Sequence, residues 1–366
     1  MRAALLEASE KPLNIVDDID IDEPRAGEVL VRVTNCGVCH SDLSLQNGTF
    51  SFTAPTVLGH EAAGVVEQAG PGVTSVVAGD QVVLTPVPSC NECYWCLRGE
   101  YGCCVNATTL TTGTMLDGHT PLSRHGQPVL RGVGLGGFAE YVITTASGAV
   151  KVADDTPLDV ACVIGCAVQT GVGAVLNTAR VPEGATVLVV GAGGIGIAIV
   201  QGARIAGATK IIVSDPNTER RENAKRFGAT DVIDPSSQDV IGAVYELTGG
   251  IGVDDAFDAV GAGPVIEMCI WATRNGGTTV MVGAGGLEQS VTIAPPIAFS
   301  LSERKLIGCL LGSSNGRRDI PRLLALWRAG RLDLEGMITA RRPLAEVNDA
   351  FDDMTAGHGL RTVLTI

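Results

Sequence analysis

The sequence predicts an α/β protein made of a doubly wound parallel sheet and a second, mainly β domain, and three observations carry that expectation. Between Val29 and about Val150 the chain runs in short alternating or β-branched stretches ("EVLVRVTNC", "AAGVVEQAG", "DQVVLTP", "FAEYVITT") broken by Gly and Pro. After Pro182 the rhythm becomes strand, glycine turn, helix, strand ("TVLVVGAGG", "IGIAIVQGARIAG", "KIIVSD", "TERRENAKRFGA", "DDAFDAVG", "GTTVMVGAGG"). Apolar strands bounded by helices belong to a parallel sheet covered on both faces. The 366 residues, 45% of them hydrophobic, suffice for two ordinary cores.

The N-terminal stretch "MRAALLEASEKPLNIVDDIDIDEP" is interrupted by charge and proline before any apolar run reaches signal-peptide length, so a cytoplasmic chain is expected. Forty acidic against 26 basic residues leave a net charge of −14, which repels phosphate backbones and anionic membrane surfaces; no nucleic-acid or membrane partner is expected. The longest apolar window, residues 185–207, has glycines at its middle and Arg204 near its end, and reads as strand, tight turn and buried helix. From about Leu311 a helix-rich tail leads to a last strand, "RTVLTI".

Eleven cysteines in such a chain favour metal or catalytic roles over disulfides. Five fall in "SCNECYWCLRGEYGCC", where Cys90, Cys93, Cys96 and Cys104 make C-x2-C-x2-C-x7-C. Two-residue gaps bring thiolates to one point, and four thiolates complete the tetrahedral shell of a structural Zn²⁺; an iron–sulfur cluster uses similar spacing, and metal-free surface thiols are the third reading. Cys103 is spare, since adjacent thiols rarely ligate one ion. A second set is scattered: "GVCHSD", "GHEAAG" and "GCAVQTG" supply Cys39, His60 and Cys166, the three ligands of a zinc with one open position. Asp42 and Glu61 flank them as supporting carboxylates. The third set is "VLVVGAGGIGIA…IIVSD": Gly191, Gly193 and Gly196 follow an apolar strand and open a helix, and Asp215 ends the next strand. That arrangement places a pyrophosphate on the helix N-terminus and a ribose hydroxyl on the carboxylate.

Together these residues resemble the zinc-dependent medium-chain alcohol dehydrogenases, from Val29 to the final "LRTVLTI". The resemblance implies a GroES-like catalytic domain from residues 1–167 and 311–366, and a Rossmann-type dinucleotide-binding domain from 168–310. It implies NAD and two Zn²⁺ per chain, with Cys39, His60 and Cys166 on the catalytic ion and the four-cysteine loop on the structural one. Ser41 stands at the place of the hydroxyl that takes the substrate proton. His40 and Arg361 match positions near the cofactor pyrophosphate, Thr170 and Ile195 positions against the nicotinamide, Arg220 a base beside the adenosine ribose, and Gly194 and Val282 further cofactor positions. The implied reaction is reversible oxidation of an alcohol, the zinc acting as a Lewis acid and the nicotinamide accepting hydride. A dehydrogenase of thiol adducts, of the formaldehyde-oxidising type, shares every one of these motifs, and a non-catalytic relative of the same fold is a further alternative.

Departures from the pattern are informative. Many members carry a histidine three residues after the relay hydroxyl; here that residue is Ser44. Phe50, Pro86, Phe138, Ala284 and Leu310 match substrate-lining positions, and Pro86 in place of a larger ring suggests a bulky primary alcohol. The stretch from Cys104 to Phe138 has little helical pattern and resembles the longer loop of dimeric members, which suggests a homodimer. Within it His119, His125, Arg124 and Arg131 match no motif and read as solvated surface.

Overall fold

The computed structural model describes residues 1–366. The chain forms two compact units: Met1–Ala167 with Asn315–Gly330 and Leu334–Ile366, and Val168–Ser314 with Arg331–Asp333. The return to the first unit falls at Asn315 instead of Leu311. Residues 312–314 are held to the second unit by Asn177, whose Nδ2 donates to the Gly312 carbonyl (3.2 Å), and by a Thr178–Ser313 hydroxyl pair at 2.8 Å. Arg331–Asp333 joins it through Gln201, which receives the Asp333 N–H at 2.7 Å and donates to its carbonyl at 3.1 Å.

The central strand of the first unit is Glu28–Gly37, where Val29, Val31 and Val33 are buried and Arg32 between them is exposed. This is the period-two pattern of a half-buried strand. It pairs antiparallel with Glu61–Ala69, Tyr141–Thr145 and Arg361–Thr365. The register sets Gly37 opposite both Glu61 and Val363. The residues just beyond Gly37, the residue just before Glu61 and the start of the last strand therefore meet at one end of the sheet.

A second sheet in this unit includes Ala3–Leu6, Asn14–Val16 and Ile19–Ile21, strands that the expectation of a β region from Val29 onward did not cover. It also takes in the Leu122–Arg124 and Gln127–Arg131 hairpin. The Cys104–Phe138 stretch is thus more structured than its composition suggested, and two of its residues are not surface. Arg131 is 2% exposed, with Nη1 donating to the Ile143 carbonyl (3.2 Å) and Nη2 to that of Thr114 (2.7 Å). Burial lowers its pKa to about 10. His119 is largely enclosed between Asp117 and Glu28. Arg124 and His125 do lie toward solvent and pair with Asp18.

The second unit holds a six-stranded parallel sheet whose strands, counted along the chain from Thr186–Val190 to Lys305–Gly308, lie in the order 3-2-1-4-5-6. That is the doubly wound order with its switch point beside the first strand. The apolar window 185–207 is the strand Thr186–Val190 and the buried helix Gly194–Ala206, closed by Gly207 at φ +88°. No single helix of the chain is long and apolar enough to cross a membrane.

Candidate active site

Three short segments converge at the sheet end in the first unit. Cys39 ends the turn after Glu28–Gly37 and precedes the helix His40–Gln46; His60 immediately precedes Glu61–Ala69. Cys166 follows the 3₁₀ turn Cys162–Gly165, which is seated close to the sheet because Gly165 has no side chain: a Cβ there would lie 2.5 Å from the Leu84 carbonyl oxygen. Cys39, His60, Glu61 and Cys166 each direct a ligand atom into a group spanning no more than 4.8 Å. Cys39, His60 and Cys166 are 2%, 0% and 8% exposed, so this donor set is withheld from bulk water.

The electrostatics fit a divalent cation. His60 Nε2 lies 3.3 Å from Cys166 Sγ, and its Nδ1 lies 3.0 Å from Asp42 Oδ2. Asp42 Oδ1 is fixed in turn by the Gly59 N–H at 2.8 Å. A hydrogen bond from Cys166 holds the Cys39 thiol well below its ordinary pKa, and the same bond keeps the Cys166 proton in place. Burial works against charge on His60, but Asp42 and Cys39 outweigh it and raise its pKa. Two thiols and an imidazole sharing protons in a buried pocket are the donors that Zn²⁺ deprotonates and binds. Glu61, pushed up to about 7 by burial against the opposing pull of Arg361, keeps Oε2 without a hydrogen-bond partner; Oε1 accepts from the Ala167 N–H at 3.0 Å. Only glycine fits opposite it, since a Cβ at Gly37 would fall 2.2 Å from Oε2.

Ser41, in the first turn of the His40–Gln46 helix, has its Oγ 4.0 Å from Cys39 Sγ. His40 is exposed at the head of the same helix. Arg361, expected beside a pyrophosphate, is 5% exposed at this site: Nη1 donates to the Val38 carbonyl at 2.7 Å and lies 3.4 Å from Glu61 Oε1. Nothing in the sequence pairs Arg361 with Glu61, because 300 residues separate them and only the shared register at Gly37 brings them together.

Cys90, Cys93, Cys96 and Cys104 form the second group, likewise within 4.8 Å, with Cys104 Sγ and Cys96 Sγ at 3.6 and 3.9 Å from Cys90 Sγ. A tetrahedron with Zn–S near 2.3 Å has edges of about 3.8 Å. Backbone N–H groups of Cys90, Cys93 and Asn106 point at the sulfurs of Cys104, Cys90 and Cys104. Cys103 is exposed and outside the group.

In the second unit Gly191 adopts φ +93° and Gly196 packs so closely that a Cβ would meet the Gly191 carbonyl oxygen at 1.8 Å. A Cβ on Gly193 would meet nothing within 4 Å, the open approach a pyrophosphate requires. Gly194 and Ile195 begin the helix. Asp215 lies just past the strand Lys210–Ser214; its Oδ2 accepts from the Ala192 N–H and its Oδ1 from the Asn217 N–H, both at 2.8 Å. Arg220 Nε is buried without a hydrogen-bond partner, whereas Arg221 is already engaged with Asp234. Thr170 and Val282 are buried at 6% and 7% exposure. The turn, the carboxylate and the unpaired Arg220 nitrogen fit a dinucleotide.

The substrate-lining expectations divide. Phe50 is half-buried and Pro86 buried in the first unit; Ala284 and Leu310 are exposed in the second. Phe138 is corrected: it is fully buried in the first unit's hydrophobic core, 6.3 Å from the Phe351 ring and packed on Gly59, where a Cβ would meet it at 2.5 Å. It has no surface left for a substrate.

Residues 25–154 match the alcohol dehydrogenase GroES-like domain and residues 194–328 the zinc-binding dehydrogenase family. An S-(hydroxymethyl)glutathione dehydrogenase of Escherichia coli is 40% identical, the match covering 99% of both chains. Among solved structures, an alcohol dehydrogenase zinc-binding domain protein of Burkholderia ambifaria is 36% identical with a TM-score of 0.94, over 100% of this chain and 98% of that one. The benzyl alcohol dehydrogenase of Acinetobacter calcoaceticus is 29% identical with a TM-score of 0.93, over 100% and 99%. With its buried Cys2His set, its four-cysteine loop and its glycine turn in a doubly wound sheet, the chain belongs to the zinc-dependent medium-chain alcohol dehydrogenase family.

Proposed function

We propose that this protein oxidises a bulky primary alcohol to the aldehyde, reversibly and with NAD, as a cytoplasmic homodimer. The observation that carries the reading is the convergence of Cys39, His60 and Cys166 with the Ser41 hydroxyl beside them. When bound, zinc supplies Lewis acidity at the substrate oxygen and NAD supplies the hydride acceptor. The chain's own residues do the rest. Cys39, His60 and Cys166 would hold the metal, Asp42 fixes the His60 ring, and Ser41 Oγ takes the substrate hydroxyl proton as it gives up its own toward solvent. Asp215 and the glycine turn bind and orient the adenosine half of the cofactor. Burial of the donor set excludes water from the reacting oxygen.

A second reading, oxidation of a thiol–formaldehyde adduct, is supported by the 40% identity to enzymes of that name. One screen separates the two: primary alcohols of increasing size with NAD, and formaldehyde with and without glutathione. Turnover of benzyl-type alcohols without a thiol supports the first reading. Activity confined to formaldehyde with glutathione supports the second, and no NAD reduction in either arm refutes both.

A further inference from the structure

The second unit carries an ion pair that the reaction does not use. Arg221, on the helix Thr218–Phe227, is only 9% exposed. Its Nη1 donates to the Asp215 carbonyl at 2.7 Å, and its Nη2 donates to Thr218 Oγ1 at 3.1 Å and to Asp234 Oδ2 at 2.9 Å. Asp234 follows the strand Asp231–Ile233 and is itself anchored, since its Oδ1 accepts the Ser236 N–H at 3.0 Å and the Ser236 hydroxyl. Contact with that serine and with Arg221 holds the Asp234 carboxyl below its usual pKa.

What this pair grips is the backbone of Asp215. Asp215 lies beyond the last residue of its strand, and its own N–H makes only a long 3.4 Å bond to the Ile233 carbonyl. The short bond on its carbonyl comes from Arg221. With the backbone held, the carboxylate sits between the Ala192 and Asn217 N–H groups, and each oxygen keeps a lone pair for a further donor.

We propose that Arg221 and Asp234 are positioning residues that set cofactor selectivity: they aim the Asp215 carboxylate at a ribose 2′-hydroxyl and keep the Arg221 guanidinium out of reach of a 2′-phosphate. The proposal rests on the reading of the cofactor as NAD. It is tested by calorimetric binding of ADP-ribose and of its 2′-deoxy analogue to the purified zinc-containing protein. The wild-type protein is expected to bind ADP-ribose more tightly by roughly tenfold or more, the effect of one hydrogen bond to a charged group. In Arg221→Met and in Asp234→Asn that ratio falls toward one, and KM for NAD rises while kcat changes little; Arg221→Lys, which keeps a donor for the Asp215 carbonyl, recovers part of the ratio. A merely structural role would weaken both ligands equally and leave the ratio alone. Asp234→Asn is nearly isosteric and keeps the experiment open if Arg221→Met does not fold. A wild-type preference retained in both variants overturns the clamp and leaves the NAD reading standing. A wild-type protein indifferent to the 2′-hydroxyl overturns the ribose role of Asp215 and the clamp with it.

Discussion

His60 Nδ1 and Asp42 Oδ2 lie 3.0 Å apart with both side chains buried, and this contact turns the other ring nitrogen toward Cys166. A ring fixed from behind keeps one tautomer and presents a more basic ligand to the metal. Asp42→Asn is therefore expected to lower catalytic-zinc affinity by about ten- to a hundredfold and activity with it. Competition with a chelator measures the first effect. Unchanged zinc retention in the variant would mean the carboxylate serves only the Gly59 turn.

The two cysteine-bearing sites should fail in different ways. Native protein is expected to hold two zinc ions, one for each cluster. His60→Ala should remove one zinc and abolish turnover with the fold largely retained. Cys93→Ser should remove the other and lower the melting temperature, because a closed four-thiolate site contributes folding energy. Elemental analysis with thermal melts of both variants checks this, and the reversed pattern would mean the roles are exchanged.

The metal donors and the glycine turn could be read in the sequence because each chemistry compresses its residues into short motifs. Partners distant along the chain could not. Glu61 and Arg361 meet through strand register, and nothing local to "GLRTVLTI" marks that contact. Arg131 in a Gly-rich stretch reads as surface until the hairpin carries it inward against two carbonyls. The Arg221–Asp234 pair escapes for a related reason: thirteen residues separate the partners, and an arginine on a charged helix is ordinarily solvated.

Phe138 gives a test of that limit. Matching by position placed it against the substrate, whereas the fold seals it against Phe351 and Gly59. Phe138→Ala should cost about 3–5 kcal/mol of stability, seen in denaturant unfolding. The ratio of specificity constants for benzyl alcohol and ethanol should stay near the wild-type value. A changed ratio at unchanged stability would return the residue to the pocket.

The proposal of a homodimer can be argued from the second unit alone. Its edge strand Lys305–Gly308 pairs on one side only, and Ile297 and Leu301, on the helix Pro296–Leu301 that precedes it in the chain, are 61% and 79% exposed. An unpaired edge strand and exposed apolar side chains in one unit invite a second copy across a two-fold axis, which covers the same surface on both chains. Light scattering is expected to report a dimer, and Leu301→Glu to shift it toward monomer at low concentration. A wild-type monomer at every concentration would sink this proposal.

Asp215 is expected to decide cofactor choice. Its carboxylate is fixed by two backbone N–H groups at 2.8 Å, so it cannot swing away from an added 2′-phosphate, and like charges in a partly desolvated site cost several kcal/mol. NAD should therefore be preferred over NADP by roughly a hundredfold or more in kcat/KM. Asp215→Gly removes the repulsion together with the ribose acceptor, so NADP improves while NAD weakens and the ratio narrows. The change should stop short of strong NADP preference. Of the two neighbouring cations, Arg220 keeps an unpartnered Nε, but Arg221 remains bound to Asp234. Adding Asp234→Ala to Asp215→Gly leaves that guanidinium without its carboxylate partner and should move the ratio further toward NADP than either change alone. Specificity constants for both dinucleotides across the wild type, the two single variants and the double variant decide the matter. A ratio unmoved by Asp215→Gly would show that this carboxylate does not select the cofactor. A double variant no different from Asp215→Gly would show that Arg221, once released, still does not reach the phosphate.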